Sequence, residues 1–267
     1  MKIKLAGLLI MTMAIFSFSS CSKKGCTDPN SFAYGGEKVK KDDESCTYPS
    51  AVKKSIVFKT TATWCPMCGD WGKEYADDLA SDHGSSNVTI QIHVNDAMSC
   101  DEGDALKAVI DASGSGVPHF FVGSESMSNS YYVINAAVED ELGKAVDVSM
   151  EIQKQTLGSA MNVKVQSKWN GSTAGTYYLA VYVLEDGIVA QQSIAGAPSD
   201  PDWVHNHILR KEASGGAFGK AITITEDGNL EEFGIALNSS WVPANCYPVA
   251  VLWRYDGTQY EFVNLAM

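Results

Sequence analysis

The chain has 267 residues, of which 45% are hydrophobic and 19% charged, and its 32 acidic and 20 basic residues give a net charge of -12. This length predicts one or two domains, with enough apolar residues for two modest cores. The acidic balance, without any basic stripe, excludes nucleic acid as an expected partner and is typical of an exported soluble protein.

The first twenty residues have the pattern of an export signal. Lys2 and Lys4 carry the positive charge, and residues 5–16 form an apolar stretch too short to span a bilayer comfortably. The following Phe-Ser-Ser-Cys sequence ends at Cys21 and resembles a lipoprotein signal, which is cleaved before a lipidated cysteine. We therefore expect residues 1–20 to be removed and Cys21 to carry a lipid, with a secreted form as the alternative.

Seven cysteines in an exported chain predict disulfide pairing. Two of them bracket a short segment that resembles a Cys-Thr-Asp-Pro to Asp-Asp-x-Ser-Cys-x-Tyr module found near the termini of exported bacterial proteins. The resemblance implies a structural disulfide between Cys26 and Cys46 in an N-terminal segment, residues 21–52. Cys100 either pairs with Cys246 or stays a free thiol; the sequence leaves both open.

The most informative stretch is residues 58–71, which holds Cys65 and Cys68 with two residues between them. The apolar run before the cysteines predicts a short buried strand over residues 55–60. After them, large apolar residues recur every four positions and predict a helix. These residues are Trp71, Tyr75 and Leu79. The pair therefore lies between a strand and a helix.

This position predicts a reactive first thiol. With Cys65 at the helix N-cap, Pro66 takes the first helical position, where its missing N–H and fixed φ are tolerated. Unpaired backbone N–H groups and the positive end of the helix dipole then face the Cys65 sulfur. Both favour the thiolate, which is the nucleophile in disulfide exchange. We assign Cys65 as the attacking thiol and Cys68, one turn into the helix, as the resolving thiol.

The Trp-Cys-x-x-Cys motif between a strand and a helix resembles the redox site of thioredoxin-like proteins. Gly116-Val117-Pro118 is similar to a second feature of that family, a cis proline that follows an apolar residue and lies beside the cysteines. The resemblance implies that Pro118 is cis and shapes a substrate groove. The expected groove residues are Trp64, Pro66, Met67, Val117, Pro118 and His119.

Two residues depart from the family pattern. Lys59 stands six positions before the first cysteine, where thioredoxins carry a buried acid thought to take a proton from the resolving thiol. His119 follows Pro118 at a position where threonine is common, and would place an imidazole at the rim of the groove. The resemblance therefore does not identify the group that takes a proton from the resolving thiol in this chain.

The cysteines and histidines admit other roles. A zinc site needs four ligands and no second cysteine pair exists, so no metal and no cofactor is expected. A permanently oxidised structural disulfide stays open. His205 and His207 would share one face of a strand, but a third ligand is not evident nearby. We expect a hydrogen-bonded loop there, with Arg210 paired to an acidic neighbour.

The pattern of elements divides the chain in two. Residues 53–144 alternate strands and helices and predict an α/β layer fold, a thioredoxin-like domain. Its further elements are a strand over 88–94 and helices over 105–112 and 131–142. Residues 145–267 predict an all-β sandwich domain, because short β-type runs alternate with Asn-Gly and Asp-Gly turns. These runs are 146–152, 161–169, 177–184, 221–225, 233–237, 248–255 and 260–265.

Two stretches of the second half carry a further resemblance. Residues 183–187, Val-Leu-Glu-Asp-Gly, and residues 203–210, Trp-Val-His-Asn-His-Ile-Leu-Arg, are similar to the C-terminal domain of thioredoxin-like outer membrane lipoproteins. This is the twenty-eight-kilodalton outer membrane protein family. The resemblance implies a lipid-anchored protein of the cell envelope, at the outer membrane and facing the periplasm or the cell surface.

The leading functional hypothesis is a lipid-anchored thiol–disulfide oxidoreductase whose substrates are protein thiols and disulfides. Its membrane contact would be the lipid anchor. The rival hypothesis is a surface binding or adhesion protein, in which the sandwich is the working part and the Cys65–Cys68 bond is inert. The sequence indicates neither the redox direction nor the oligomeric state.

Overall fold

A computed structural model describes residues 23–171 and 175–267 of the chain. The expected signal and its lipidation site, Cys21, lie outside these residues. Within them no helix is long and apolar enough to cross a membrane. The α-helices are α1 (Trp71–His83), α2 (Asp101–Ile110) and α3 (Tyr131–Leu142).

Strands account for most of the regular structure. Those before the predicted boundary at residue 144 are β1 (Lys24–Gly25), β2 (Lys40–Lys41), β3 (Ser55–Thr61), β4 (Asn87–His93), β5 (His119–Val122) and β6 (Glu125–Ser126). Those after it are β7 (Val148–Leu157), β8 (Ala160–Trp169), β9 (Thr176–Glu185), β10 (Ile188–Val189), β11 (Gln192–Ile194), β12 (Ala197–Asp200), β13 (Val204–His205), β14 (Ile208–Glu212), β15 (Lys220–Ile222), β16 (Asn229–Ala236), β17 (Cys246–Tyr255) and β18 (Tyr260–Ala266).

One nine-stranded sheet runs through both halves of the chain. Its order is β18-β17-β9-β14-β4-β3-β5-β6, with β15 paired to β9. The halves join where β14 lies parallel to β4, with Ile208 opposite Gln91. The fold is therefore mixed α/β with a continuous sheet. The expected boundary between residues 144 and 145 does not divide this sheet, because strands from the second half extend the sheet of the first.

One face of this sheet carries a core shared by both halves. Phe58 of β3 stacks on Trp253 of β17 at 6.1 Å between ring centroids and meets the edge of Tyr182 of β9 at 6.0 Å. All three side chains are fully buried. Helix α2 covers this face through Leu106 and Ile110. Burial of such aromatic rings stabilises the fold by roughly 1.5–3 kcal/mol for each large side chain.

The opposite face has two covers. Helices α1 and α3 pack Leu79 and Ile134 against Val57 and Phe120 of strands β3 and β5. Beside them, the three-stranded sheet β16-β8-β7 packs against β9 and β17. The second half therefore does not form a separate pair of sheets, because its strands β9, β14, β17 and β18 belong to the nine-stranded sheet that is also the centre of the α/β half.

The N-terminal segment is stapled as expected. Cys26 and Cys46 form a disulfide with their Cα atoms 4.8 Å apart. The Gln166 side chain of β8 donates hydrogen bonds to the carbonyl groups of Asn30 at 2.7 Å and Thr47 at 3.0 Å. The segment is therefore held against the second half of the chain.

Candidate active site

The Cys65–Cys68 motif lies between β3 and α1, but helix α1 begins later than expected. The helix starts at Trp71, with Asp70 as its N-cap. The motif itself is a series of turns in which the Cys68 amide donates to the Cys65 carbonyl at 3.2 Å. The prediction that Cys65 caps the helix, with Pro66 at its first position and Cys68 within it, is therefore wrong.

The sulfur atoms of Cys65 and Cys68 are joined in a disulfide, and each residue is only 3% exposed. The Cys68 amide also donates to the Cys65 sulfur at 3.2 Å. An amide donor at this position stabilises a thiolate. The electrostatic support expected from a helix terminus is thus replaced by a local amide hydrogen bond.

The second predicted feature lies beside the disulfide. The Val117–Pro118 peptide bond is cis, as expected. The Val117 carbonyl oxygen is 3.3 Å from the Cys65 sulfur. Pro118 packs against Gly72 of α1 so closely that a Cβ at Gly72 would lie 2.9 Å from the proline ring. Only glycine permits this approach of helix and loop.

An exposed apolar rim borders the buried sulfur atoms. Trp64 is 52% exposed and Met67 44%, while Pro66 between them is also exposed. The Trp64 indole N–H donates to the Asn95 carbonyl at 3.2 Å, which fixes its ring. A rim of this kind can contact an apolar segment of a substrate protein.

His119 is engaged elsewhere. Its Nε2 lies 2.7 Å from the Ser126 hydroxyl, and its ring meets that of Phe121 at 4.9 Å. Partial burial lowers the pKa of His119. The imidazole therefore belongs to a neighbouring polar contact on β5 and β6.

A hairpin from the second half of the chain, β11–β12, lies against the motif. The Ser193 amide donates to the Thr63 carbonyl at 2.8 Å, and the Ala195 amide donates to the Pro66 carbonyl at 3.1 Å. A Cβ at Gly69 would lie 2.4 Å from the Ser193 carbonyl oxygen, so only glycine fits at this crossing. No local pattern in the sequence pointed to this contact.

The buried side chain of Gln192 also holds the hairpin against the motif. Its side-chain Nε2 donates to the carbonyl groups of Ala62 at 3.3 Å and Cys65 at 3.0 Å. Gln192 is 3% exposed. The amide thus bridges the strand end that precedes the cysteines to the first cysteine itself.

Sequence reasoning also missed a buried histidine–aspartate pair beneath the motif. His93 Nδ1 lies 2.7 Å from Asp96 Oδ2, which also accepts the Thr63 amide at 2.9 Å. Burial would raise the pKa of Asp96, but its bonds from His93, Thr63 and Met98 outweigh that effect and lower it. The detectable signal was the His-x-x-Asp spacing immediately after β4.

His205 and His207 do not share a face. His207 has a positive φ of 58°, which separates β13 from β14. His205 is buried and contacts the Ala190 carbonyl at 3.3 Å, whereas His207 contacts the Tyr247 hydroxyl. No cluster of three potential metal ligands occurs among residues 23–171 and 175–267. Arg210 forms the expected ion pair, with Glu185 at 3.2 Å.

The two remaining cysteines are free thiols on opposite faces of the large sheet. Cys100 packs against the core that includes Phe58, whereas Cys246 lies in the core between the two sheets. Their positions explain why they do not pair. Burial raises the pKa of each to about 11, so both stay protonated and unreactive at neutral pH.

The family model for outer membrane protein Omp28 matches residues 103–265, more than half of the chain. The chain belongs to the Omp28 outer membrane protein family. The match begins after the Cys65–Cys68 motif, so membership in the Omp28 family does not by itself describe these two cysteines. Membership places the protein in the cell envelope, at the outer membrane.

Two solved structures from Porphyromonas gingivalis are similar to this Omp28 family member. HBP35 has a TM-score of 0.68 at 17% identity, over 81% of this chain and 75% of that chain, which shows a shared fold. A domain of the outer membrane lipoprotein Omp28 has a TM-score of 0.33 at 20% identity, over 46% of this chain and 86% of that one. No curated protein shows significant sequence similarity to the chain.

Proposed function

We propose that this outer membrane lipoprotein is a thiol–disulfide oxidoreductase that acts on protein thiols and disulfides through Cys65 and Cys68. The observation that carries the proposal is the surroundings of the Cys65 sulfur. The sulfur accepts a hydrogen bond from the Cys68 amide at 3.2 Å and lies 3.3 Å from the Val117 carbonyl oxygen, beside an exposed apolar rim. These contacts combine a donor for the thiolate with a surface that can receive a polypeptide.

The arrangement of elements supports a thioredoxin-like unit within residues 53–144. Strands β4, β3 and β5 are adjacent, with α1 and α3 on one face and α2 on the other. Residues 145–267 then form the sandwich part through the sheet β16-β8-β7. In this proposal the second half extends the unit and supplies the hairpin that lies on the motif.

The exchange begins with the disulfide present in the structure. A substrate thiolate attacks the Cys65 sulfur, the Cys65–Cys68 bond breaks, and Cys68 leaves as a thiolate. A second substrate thiol then displaces Cys65, so the substrate gains a disulfide and the protein holds two thiols. The same steps in reverse reduce a substrate, with a thiol donor required to restore the dithiol. The exchange itself uses no cofactor.

Five of the six expected groove residues have a part in this scheme, and His119 does not, because its imidazole contacts Ser126. Trp64, Pro66 and Met67 contact the apolar side chains of the substrate. Val117 and Pro118 present a backbone edge next to Cys65, on which an extended substrate segment can align. Cys21 carries the lipid that holds the protein to the membrane.

Insulin reduction and refolding of scrambled ribonuclease test the proposal. The intact chain should be active and the Cys65→Ser variant inactive, while Cys68→Ser should accumulate a mixed disulfide with the substrate. Cys100→Ser is the matched control, because it removes a protonated free thiol away from the pair. Equal activity in Cys65→Ser and the intact chain would contradict the proposal.

A second candidate is favoured by the burial of the pair. Both cysteines are 3% exposed, and the β11–β12 hairpin is hydrogen-bonded across the motif. In this alternative, Cys65–Cys68 is a structural disulfide that shapes the seat of the hairpin, and the protein is a surface binding module. An intact chain inactive in both assays, with a partner captured by the Cys65→Ser variant as well, would favour it.

A further inference from the structure

A cavity of about 310 Å³ has Cys68 in its wall. Strands β3 and β4 contribute Lys59 and Gln91 to its lining, helix α1 contributes Asp77, and the segment around β13 contributes His205. A space of this size admits water to polar groups. The cavity therefore places Cys68, the proposed resolving cysteine, among a set of titratable side chains.

Lys59 is the least satisfied of these groups. It is 3% exposed, and its Nζ donates one long hydrogen bond, to Gln91 Oε1 at 3.4 Å. Burial of an ammonium group without a close counter-ion favours the neutral amine. Burial lowers the pKa of Lys59 to about 7. The charge of Asp77 opposes this change with a smaller raising effect, and the charge of Lys73 adds to the lowering.

The neighbouring groups have partners of their own. The other titratable side chains lining the cavity are Lys73, Asp77, Asp186, His205, His207 and Tyr247. Lys73 is paired with Asp77, and His207 contacts the Tyr247 hydroxyl, which donates to Asp186 at 3.2 Å. Burial lowers the pKa of His205 to about 4, so it is neutral at pH 7. Of the two described lysines in the cavity, Lys59 is the one outside an ion pair.

We propose that Lys59 exchanges a proton with the Cys68 thiol across this cavity each time the disulfide opens or closes. The inference rests on the proposed redox function. When a substrate thiolate attacks Cys65, Cys68 leaves with the electron pair of the broken bond and takes a proton from the Lys59 ammonium group. When the disulfide closes, the Lys59 amine removes that proton, and the Cys68 thiolate attacks the mixed disulfide at Cys65.

The exchange implies a measurable coupling between the two groups. A Cys68 thiolate in a buried wall is stabilised by the Lys59 cation, and the same thiolate stabilises the cation. Removal of the amine leaves the thiolate without a counter-charge, so the pKa of Cys68 rises. Removal of the sulfur lowers the pKa of Lys59 by the same coupling free energy.

The test uses the full chain in detergent, carrying Cys65→Ser so that Cys68 is a thiol after reduction. The rate of Cys68 alkylation by iodoacetamide is followed against pH by peptide mass spectrometry, which separates it from Cys100 and Cys246. Lys59→Met should move the midpoint of this profile to higher pH, and a midpoint one pH value higher lowers alkylation at neutral pH about tenfold. Lys164→Met, which removes a lysine of β8 outside this cavity, should leave the midpoint unchanged.

A reciprocal measurement covers the case in which Lys59→Met does not fold. NMR of reductively methylated lysines gives the pKa of Lys59 in the Cys65→Ser chain, with and without Cys68→Ser. The proposal requires a lower pKa of Lys59 when Cys68 is absent. An unchanged pKa of Lys59, or an unchanged alkylation midpoint in folded Lys59→Met, would overturn it. Insulin reduction by the intact chain separately decides the redox function, so failure of either claim is distinguishable.

Discussion

Gln192→Ala should make the Cys65–Cys68 disulfide easier to reduce. The side-chain amide of Gln192 is buried and donates to the carbonyl groups of Ala62 and Cys65 at 3.3 and 3.0 Å. Because Cys65 is 3% exposed, we expect an attacking thiol to reach it through a local opening, and we expect the hairpin that is bonded to the Cys65 carbonyl to be the segment that opens. The substitution removes two of the bonds that hold the hairpin closed.

The magnitude follows from those bonds. An intramolecular hydrogen bond contributes roughly 0.5–1.5 kcal/mol net, so the loss of two lowers the opening free energy by about 1–2 kcal/mol after relaxation. A change of this size raises the population of the open form about 5–30-fold. The backbone bonds from Ser193 and Ala195 remain and keep the hairpin in place.

The assay is the rate of reduction of the Cys65–Cys68 bond by a small thiol, read by mass after trapping. Gln192→Ala should react about 5–30-fold faster than the unaltered chain. Gln191→Ala, at the exposed neighbouring position, should react at the unaltered rate. Equal rates for both variants and the unaltered chain would show that the hairpin does not limit access to Cys65.

Two further predictions concern stability. Replacing Cys26 and Cys46 by alanine should lower the free energy of unfolding by roughly 3 kcal/mol, since the bond closes a loop with a sequence separation of 20. Cys26→Ala alone should match the double variant in urea unfolding, and full stability in either would contradict a closed disulfide. Burial holds the pKa of His205 at about 4, against 6.5 for an exposed histidine, so the unfolded chain binds the extra proton. The contribution of His205 to stability should therefore be complete above about pH 6.5 and be lost as the pH drops to about 4. In urea titrations, His205→Gln should make the free energy of unfolding depend less on pH, whereas the control His207→Gln should not. An unchanged pH dependence in His205→Gln would be evidence against the low pKa of His205.

Local patterns predicted several elements, but the prediction of a loop around His205 and His207 was wrong, because β13 and β14 lie there. Helix α3 has the expected bounds, 131–142, because its apolar residues repeat at helical spacing and Gly143 follows it. The predicted strands 161–169 and 248–255 fall within β8 and β17. The cis bond at Pro118 and the Cys26–Cys46 disulfide followed from family motifs.

Contacts between distant residues were not predictable in the same way. The single sheet depends on the pairing of Ile208 with Gln91, and periodicity within a strand does not specify its neighbour. The hairpin on the motif depends on the close approach of Gly69 and Ser193, which are far apart in sequence. The prediction that the helix starts at Cys65 was wrong for a local reason, because the Cys68 amide forms a hydrogen bond within a tight turn.

In the candidate site, too, local motifs were predictable and contacts between distant segments were not. The cysteines were identified from their spacing, and Val117 from its resemblance to a family motif. The cavity that joins Lys59 to Cys68 requires α1, β4 and the segment near β13 to meet, and no short window of the sequence contains that information.

The reduction potential of the Cys65/Cys68 couple decides whether these cysteines exchange disulfides with a substrate or form a structural bond. The full chain is equilibrated in glutathione buffers of increasing reducing strength, and the trapped thiols of the pair are read by peptide mass. A redox catalyst should give a value between about -270 and -120 mV. A value below about -300 mV, with no mixed disulfide trapped by Cys68→Ser, would mark a structural bond and contradict the account.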